Sequence, residues 1–291
     1  MKSNLPFLPL LRSGLAATAL LLASALPAAA QTYFRVNSDG ANTLGPILTI
    51  DHPSLNGKPK VKPLITQFWS GVYNASPVGV QYSTPLGRWQ IVNEDGNNIP
   101  ANAKFNVLIA KGAKTVLASP TNTTSNLTFF PTAKGNPGAR LLATHVTNPV
   151  AGLPSTYSER YHGLFYVTGG PTYGNQWSLY TENAENMEAI GFHVADVTKL
   201  TNGGNPASFV FTAVGANISG HIATIDNALT NDNPNAFVFV HHVYLPASPN
   251  ALNHPVAVYY TGGRWRIFTE DIAAIPNNTA FVVLVLPGTG V

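Results

Sequence analysis

Three times the chain writes nearly the same nine residues: GRWQIVNED at 87–95, NQWSLYTEN at 175–183 and GRWRIFTED at 263–271. Trp89, Trp177 and Trp265 stand 88 residues apart, and a glutamate follows each by five: Glu94, Glu182, Glu270. Phe105, Phe192 and Phe281 follow at 16, 15 and 16 residues. Similarity at a fixed period of this length means copies of one structural unit. The repeat extends upstream, where YFRVNSDGANTLGPILTID (33–51) overlays SFVFTAVGANISGHIATID (208–226) without a gap. The middle copy of this arm, KTVLASPTNTTSNLTFFP (114–131), is eroded. The units therefore fall at 32–112, 113–207 and 208–291.

Each unit reads as antiparallel β. AVYYTGGRWRIF holds two alternating runs around Gly262-Gly263, a hairpin in which both turn residues can take positive φ. Alternation puts Trp265 and Ile267 on one face, as it does Trp89/Ile91 and Trp177/Leu179. Arg264/Arg266, Arg88/Gln90 and Gln176/Ser178 take the other, so a half-buried strand is expected. AFVFV (236–240) and AFVVLVL (280–286) are continuous apolar runs, expected to be buried on both faces. The fold class is all-β: three tandem units of about 88 residues, each a small sandwich or barrel, or else packed together with pseudo-threefold symmetry. Trp89, Trp177, Trp265, Phe105, Phe192 and Phe281 are the expected anchors of the core.

Residues 1–30 have the form of a signal peptide: Lys2 and Arg12, an apolar run from Leu15 to Leu26, then Ala28-Ala29-Ala30. This predicts export, to the cell exterior, its surface or the periplasm. No later apolar run is long enough for a membrane span. Without Lys2 and Arg12, fourteen basic groups face thirteen acidic ones, which gives no electrostatic case for nucleic acid. There is no cysteine, so stability is expected from core burial rather than disulfides.

Asp51-His52-Pro53, Asn233-Pro234-Asn235-Ala236, His254-Pro255-Val256 and Gly263-Arg264-Trp265 resemble the signature segments of a repeated β domain found in secreted bacterial proteins. The resemblance covers units one and three well and unit two weakly. It implies a domain of unknown function and adds no activity.

The paired acids Glu94-Asp95 and Glu270-Asp271 are the one hint of a hydrolase, but neighbours on a strand point to opposite faces. They are expected to cap strand ends, the glutamates pairing with Arg88 or Arg264. The histidines, of which His241, His242 and His254 cluster best, form no repeating three-ligand pattern, so no metal and no cofactor is expected. No nucleophile elbow or phosphate loop is present, and no catalytic residue is assigned. Asn-x-Ser/Thr sequons occur at Asn74, Asn122, Asn126, Asn217 and Asn277.

Loop aromatics suit a binding face better. Trp69, Tyr73, Tyr157, Tyr161, Tyr173 and Tyr244 are candidates for stacking on sugar rings, with Arg88 and Arg264 as polar contacts. They show no clean repeat in sequence. The reading that follows is a non-enzymatic binding or adhesion module, its partner an extracellular polysaccharide or another cell-surface polymer. The alternative is a coat protein that self-associates and binds no small ligand, and a third, less favoured class is an extracellular hydrolase using Glu94 or Glu270.

Overall fold

The computed structural model describes residues 31–149, 155–170 and 172–288. The signal-peptide reading falls on residues 1–30, outside the described residues. Among the described residues all regular structure is β, in twenty-three strands.

Unit one supplies β1 (Thr32–Asn37), β2 (Thr43–Leu44), β3 (Ile47–Thr49), β4 (Pro63–Phe68), β5 (Val78–Ser83), β6 (Arg88–Asn93) and β7 (Lys104–Ile109). Unit two repeats the series as β8 (Lys114–Leu117), β9 (Thr123–Thr124), β10 (Leu127–Phe130), β11 (Leu141–Val146), β12 (His162–Val167), β13 (Gln176–Thr181) and β14 (Gly191–Asp196). A small hairpin, β15 (Thr201–Asn202) and β16 (Asn205–Pro206), leads into unit three. There β17 (Ser208–Ala213), β18 (Ile218–Ser219), β19 (Ile222–Thr224), β20 (Phe237–Tyr244), β21 (Val256–Thr261), β22 (Arg264–Thr269) and β23 (Thr279–Leu286) complete the chain. The eroded middle arm thus still makes its three strands.

The units do not form separate sandwiches. Three seven-stranded sheets run β1-β7-β4-β21-β22-β19-β18, β17-β23-β20-β12-β13-β10-β9 and β2-β3-β6-β5-β11-β14-β8. Every unit gives three strands to one sheet and four to the next. The fourth strand of one unit lies parallel to the fifth strand of the unit before it, as β11·β5, β20·β12 and β4·β21. The last of these joins unit one to unit three, so the series closes into a ring. The pseudo-threefold packing is the realised architecture. Each unit has an open strand edge that only a neighbour covers.

The three fourth strands meet at the centre. Ile65 N–H donates to the Thr144 hydroxyl at 3.0 Å, and Val240 N–H to that of Thr66 at 3.2 Å. Asn106 and His193, at matching positions of β7 and β14, reach across to the carbonyls of Val238 and Pro63. β23 is buried along its whole length, as its apolar run predicts.

Most letters of the repeated phrase have a structural task. Arg88 and Arg264 approach Asp51 and Asp226 of their own arms at 3.6 and 3.8 Å. Each buried tryptophan donates its indole N–H to a carbonyl in the loop before the fourth strand: Trp89 to Lys58, Trp177 to Asn136, Trp265 to Asn233, at 3.1, 2.9 and 2.8 Å. One ring thus fills the core and ties down a loop. Ile91, Leu179 and Ile267 are fully buried beside them. The side chain four places after the tryptophan closes the following turn: Asn93 to Asn97 O, Thr181 to Glu185 O, Thr269 to Ala273 O. The last letter accepts a backbone N–H two residues on, in Asp95, Asn183 and Asp271.

The expectation of a polar outer face on these strands is corrected for β6 and β13, where Gln90 and Ser178 are buried. Hydrogen bonds offset their burial: Gln90 to Gln81 and Thr49, Ser178 to the Phe165 carbonyl. The glycine hairpin is as expected, with φ of 57° and 76° at Gly262 and Gly263.

The indole bond gives the first prediction. Trp265→Phe should destabilise the protein by about 0.5–1.5 kcal/mol because it removes the indole hydrogen bond to the Asn233 carbonyl, which still accepts the Ala236 N–H, and Trp265→Ala by about 3–5 kcal/mol. Denaturant unfolding of both variants checks this; a phenylalanine variant as stable as wild type would deny the indole bond any role.

Candidate functional site at the junctions between units

The fifth residue after each tryptophan crosses a junction. Glu94 of unit one meets His145 Nδ1 of unit two at 2.6 Å and accepts the Ser158 N–H at 2.7 Å. Glu182 of unit two meets His242 Nδ1 of unit three at 2.5 Å and accepts the Leu252 N–H at 2.8 Å. Glu270 of unit three accepts the Asn74 N–H of unit one at 3.0 Å. The histidine position is held there by Gln67, which exchanges hydrogen bonds with Asn74 instead. All three carboxylates are buried. The expected pairing of Glu94 and Glu270 with Arg88 and Arg264 is therefore corrected: the arginines reach the arm aspartates, while each glutamate points inward to the next unit.

Space decides which junctions carry a histidine. A Cβ at Gly79 or Gly163 would collide with the carboxylate of Glu94 or Glu182. The matching residue of β21 is Ala257, in the unit whose glutamate lacks a histidine. The expected anchors Phe105, Phe192 and Phe281 sit opposite Gln67, His145 and His242 in register and wall these contacts. Without an imidazole, burial pushes the Glu270 carboxyl up to about 8; the Asn74 N–H opposes this and Asp271 adds to it.

The two Glu–His pairs line an axial cavity of about 140 Å³, with His162, His241 and Gln67. The buried Nε2 atoms of His145, His162, His241 and His242 have no hydrogen-bond partner. Burial lowers His241 to about 3 and His162 well below its ordinary value. Among the described residues no three histidine, aspartate or glutamate side chains are placed to hold a metal ion. The expected proximity of His242 to His254 is corrected in its bonding: His242 is committed to Glu182, and His254 pairs with Asp271 at 2.6 Å. Tyr161, a candidate stacking residue, also lines this cavity, its hydroxyl bonded to the Ala75 carbonyl.

Two pairs of the other loop aromatics match once the strands are in register. Trp69, Thr147 and Tyr244 each stand two residues after the Gln67, His145 and His242 position. Tyr73, Tyr157 and Ala251 each precede the amide that binds the glutamate. At the β4·β21 junction, Trp69, Tyr73, Tyr259 and Phe268 form one cluster with ring centroids 5.4–6.3 Å apart. Arg266 lies 5.7 Å over Tyr259. At β20·β12, Tyr244 packs edge-on to Phe165 and Tyr180 at 5.3 and 6.2 Å. At β11·β5 the groove is polar, and Tyr157 approaches Gln81 at 3.4 Å. Tyr73 and Tyr157 are 43% and 46% exposed. Tyr173 lies elsewhere, stacked on Phe129 at 4.2 Å. Sequence reasoning missed Phe165, Tyr180, Tyr259 and Phe268 because they sit inside strands. Of the sequons, Asn74, Asn122 and Asn217 use their side-chain amides within the fold.

Two variants test the junction chemistry. Gly163→Ala should cost several kcal/mol, about the range for a disrupted buried ion pair, whereas Ala257→Gly should cost about 1 kcal/mol or less; equal effects in unfolding experiments would remove the close-approach argument. For Glu270, the folded state keeps a proton that the unfolded chain has lost between its ordinary value of 4.5 and about 8. Its contribution to stability therefore falls as pH rises through that window and is level outside it. Glu270→Gln should gain on wild type across the window, read as the difference in melting temperature; a difference constant with pH would contradict it.

A family model described as a domain of unknown function, DUF7452, matches residues 24–109, 79–196 and 163–285. Successive matches overlap over the hairpin and closing strand of the preceding unit. No curated protein and no solved structure matches the chain.

Proposed function

Because the chain belongs to the DUF7452 family, whose description carries no activity, its role has to be read from the ring, and we propose that it is an exported, non-catalytic binding module for carbohydrate or another extracellular polymer. The observation that carries this reading is the recurrence of aromatic side chains at the junction grooves: Trp69 matches Tyr244, and Tyr73 matches Tyr157. Aromatic faces suit the C–H faces of sugar rings, and neighbouring amides suit their hydroxyls. Arg266 supplies a guanidinium at one groove, while at another the buried amides of Gln81 and Gln90 are bonded to each other and Tyr157 reaches Gln81. Three such grooves on one closed ring favour weak contacts summed along a polymer. The buried glutamates support a role without turnover, since Glu94 and Glu182 have both carboxylate oxygens engaged.

A second reading, self-association into a coat, draws on exposed apolar side chains: Leu44 is 85% and Ile272 60% accessible. The discriminating experiment is retention of the purified chain on insoluble polysaccharides and peptidoglycan, with sedimentation over a range of concentrations. Trp69→Ala and Tyr244→Ala should each weaken retention by about twofold to tenfold, the effect of one aromatic stack, with the melting curve showing an intact fold. No retention on any polymer, together with concentration-dependent oligomers, would replace this reading by the second.

A further inference from the structure

The three junctions share one plan, and among the described residues the one at β20·β12 has an empty seat. At β4·β21 the ring of Tyr73 lies between Phe268, edge-on at 5.9 Å, and Trp69 at 6.3 Å. At β11·β5 the matching Tyr157 turns its hydroxyl to Gln81. At β20·β12 the matching residue is Ala251, while Tyr180 and Tyr244 stand where Phe268 and Trp69 do. A cavity of about 320 Å³ remains, lined by the apolar and aromatic Leu127, Phe165, Tyr180, Ala184, Tyr244 and Ala251, with Asn126, Thr181 and Glu182 as its polar lining. That is within the size range of small-molecule pockets.

We propose that this cavity is a receptor for a single aromatic ring of the phenol type. The chain's own tyrosine in the matching seat supplies the size and the aromatic surroundings of the occupant. Most of the polar lining is already bonded: the Thr181 hydroxyl donates to the Glu185 carbonyl and the Asn126 amide to that of Thr181. The Tyr180 hydroxyl donates to Glu182 at 2.8 Å, and Glu182 is otherwise held by His242 and the Leu252 N–H. No free charge is left for a charged ligand, and a pyranose inserted here would bury hydroxyls without partners, at a cost of about 1–3 kcal/mol each. An aromatic ring meets edges and faces it can pack against and requires only its own hydroxyl to stay at the open rim. The inference goes beyond the polymer reading; the two share Tyr244, and the measurements below separate them.

The test is a titration of the purified chain with p-cresol, followed by calorimetry and ligand-observed NMR, with methyl glucoside as the competing probe. Wild type should bind one equivalent. Ala251→Tyr should weaken binding at least about tenfold, by placing in the cavity the ring that its counterpart Tyr73 supplies. Tyr73→Ala should empty the matching seat and raise the stoichiometry from one to two, which keeps the proposal open to refutation if the first variant fails to fold. No saturable binding to wild type, unchanged binding in Ala251→Tyr, or displacement of p-cresol by methyl glucoside would each overturn it. Polysaccharide retention measured alongside separates the two readings: retention without p-cresol binding sinks only the pocket, and p-cresol binding without retention sinks only the polymer module.

Discussion

The ring depends on a carboxylate that its own unit does not satisfy. A buried glutamate needs hydrogen-bond donors, and an unpaired one costs several kcal/mol. Glu94 finds its donors on unit two, Glu182 on unit three beside its own unit's Tyr180, and Glu270 on unit one. The sheets repeat this dependence in backbone form, since each is completed only by a neighbour's strand. Folding and association of the units are thus one event. Cysteine-free stability follows, because three shared sheets enclose a core in which Trp177, Trp265 and three phenylalanine anchors are almost wholly buried.

Having three copies lets the junctions diverge while the ring persists. The Glu–His contact survives twice and is replaced once, with Gln67 and Ala257 changing together at the same junction. The seat before the glutamate-binding amide is Tyr73, Tyr157 or Ala251. The residue beside it is Trp69, Thr147 or Tyr244. One frame therefore presents an aromatic cluster, an amide groove and an open pocket. Specific recognition needs such differences, because three identical sites would recognise a single feature three times.

Much of the frame was legible in residues alone. The 88-residue period located the units, the glycine pair located a hairpin, and the apolar run at 280–286 located a fully buried strand. The core anchors were legible because a tryptophan alternating in phase with isoleucine or leucine has one face to bury. The binding candidates were legible only as a list of loop aromatics. The match of Tyr73 to Tyr157 stayed hidden because the loops between the fourth and fifth strands differ in length, so these residues drift out of alignment. The amide that meets the glutamate restores the register, and that contact is tertiary.

The glutamates show the boundary most clearly. Spacing marked Glu94, Glu182 and Glu270 as members of the repeat. Local reasoning then paired the acids with the arginines of their own hairpin, the nearest opposite charges along the strand. Sequence by itself determined that there are three β units, what buries their cores and which residues recur. Tertiary structure alone decided that strand edges are satisfied between units rather than within them. Hydrogen-bond donors for a buried strand end come from whichever chain segment covers it, and no periodicity along one unit says that the cover belongs to the next.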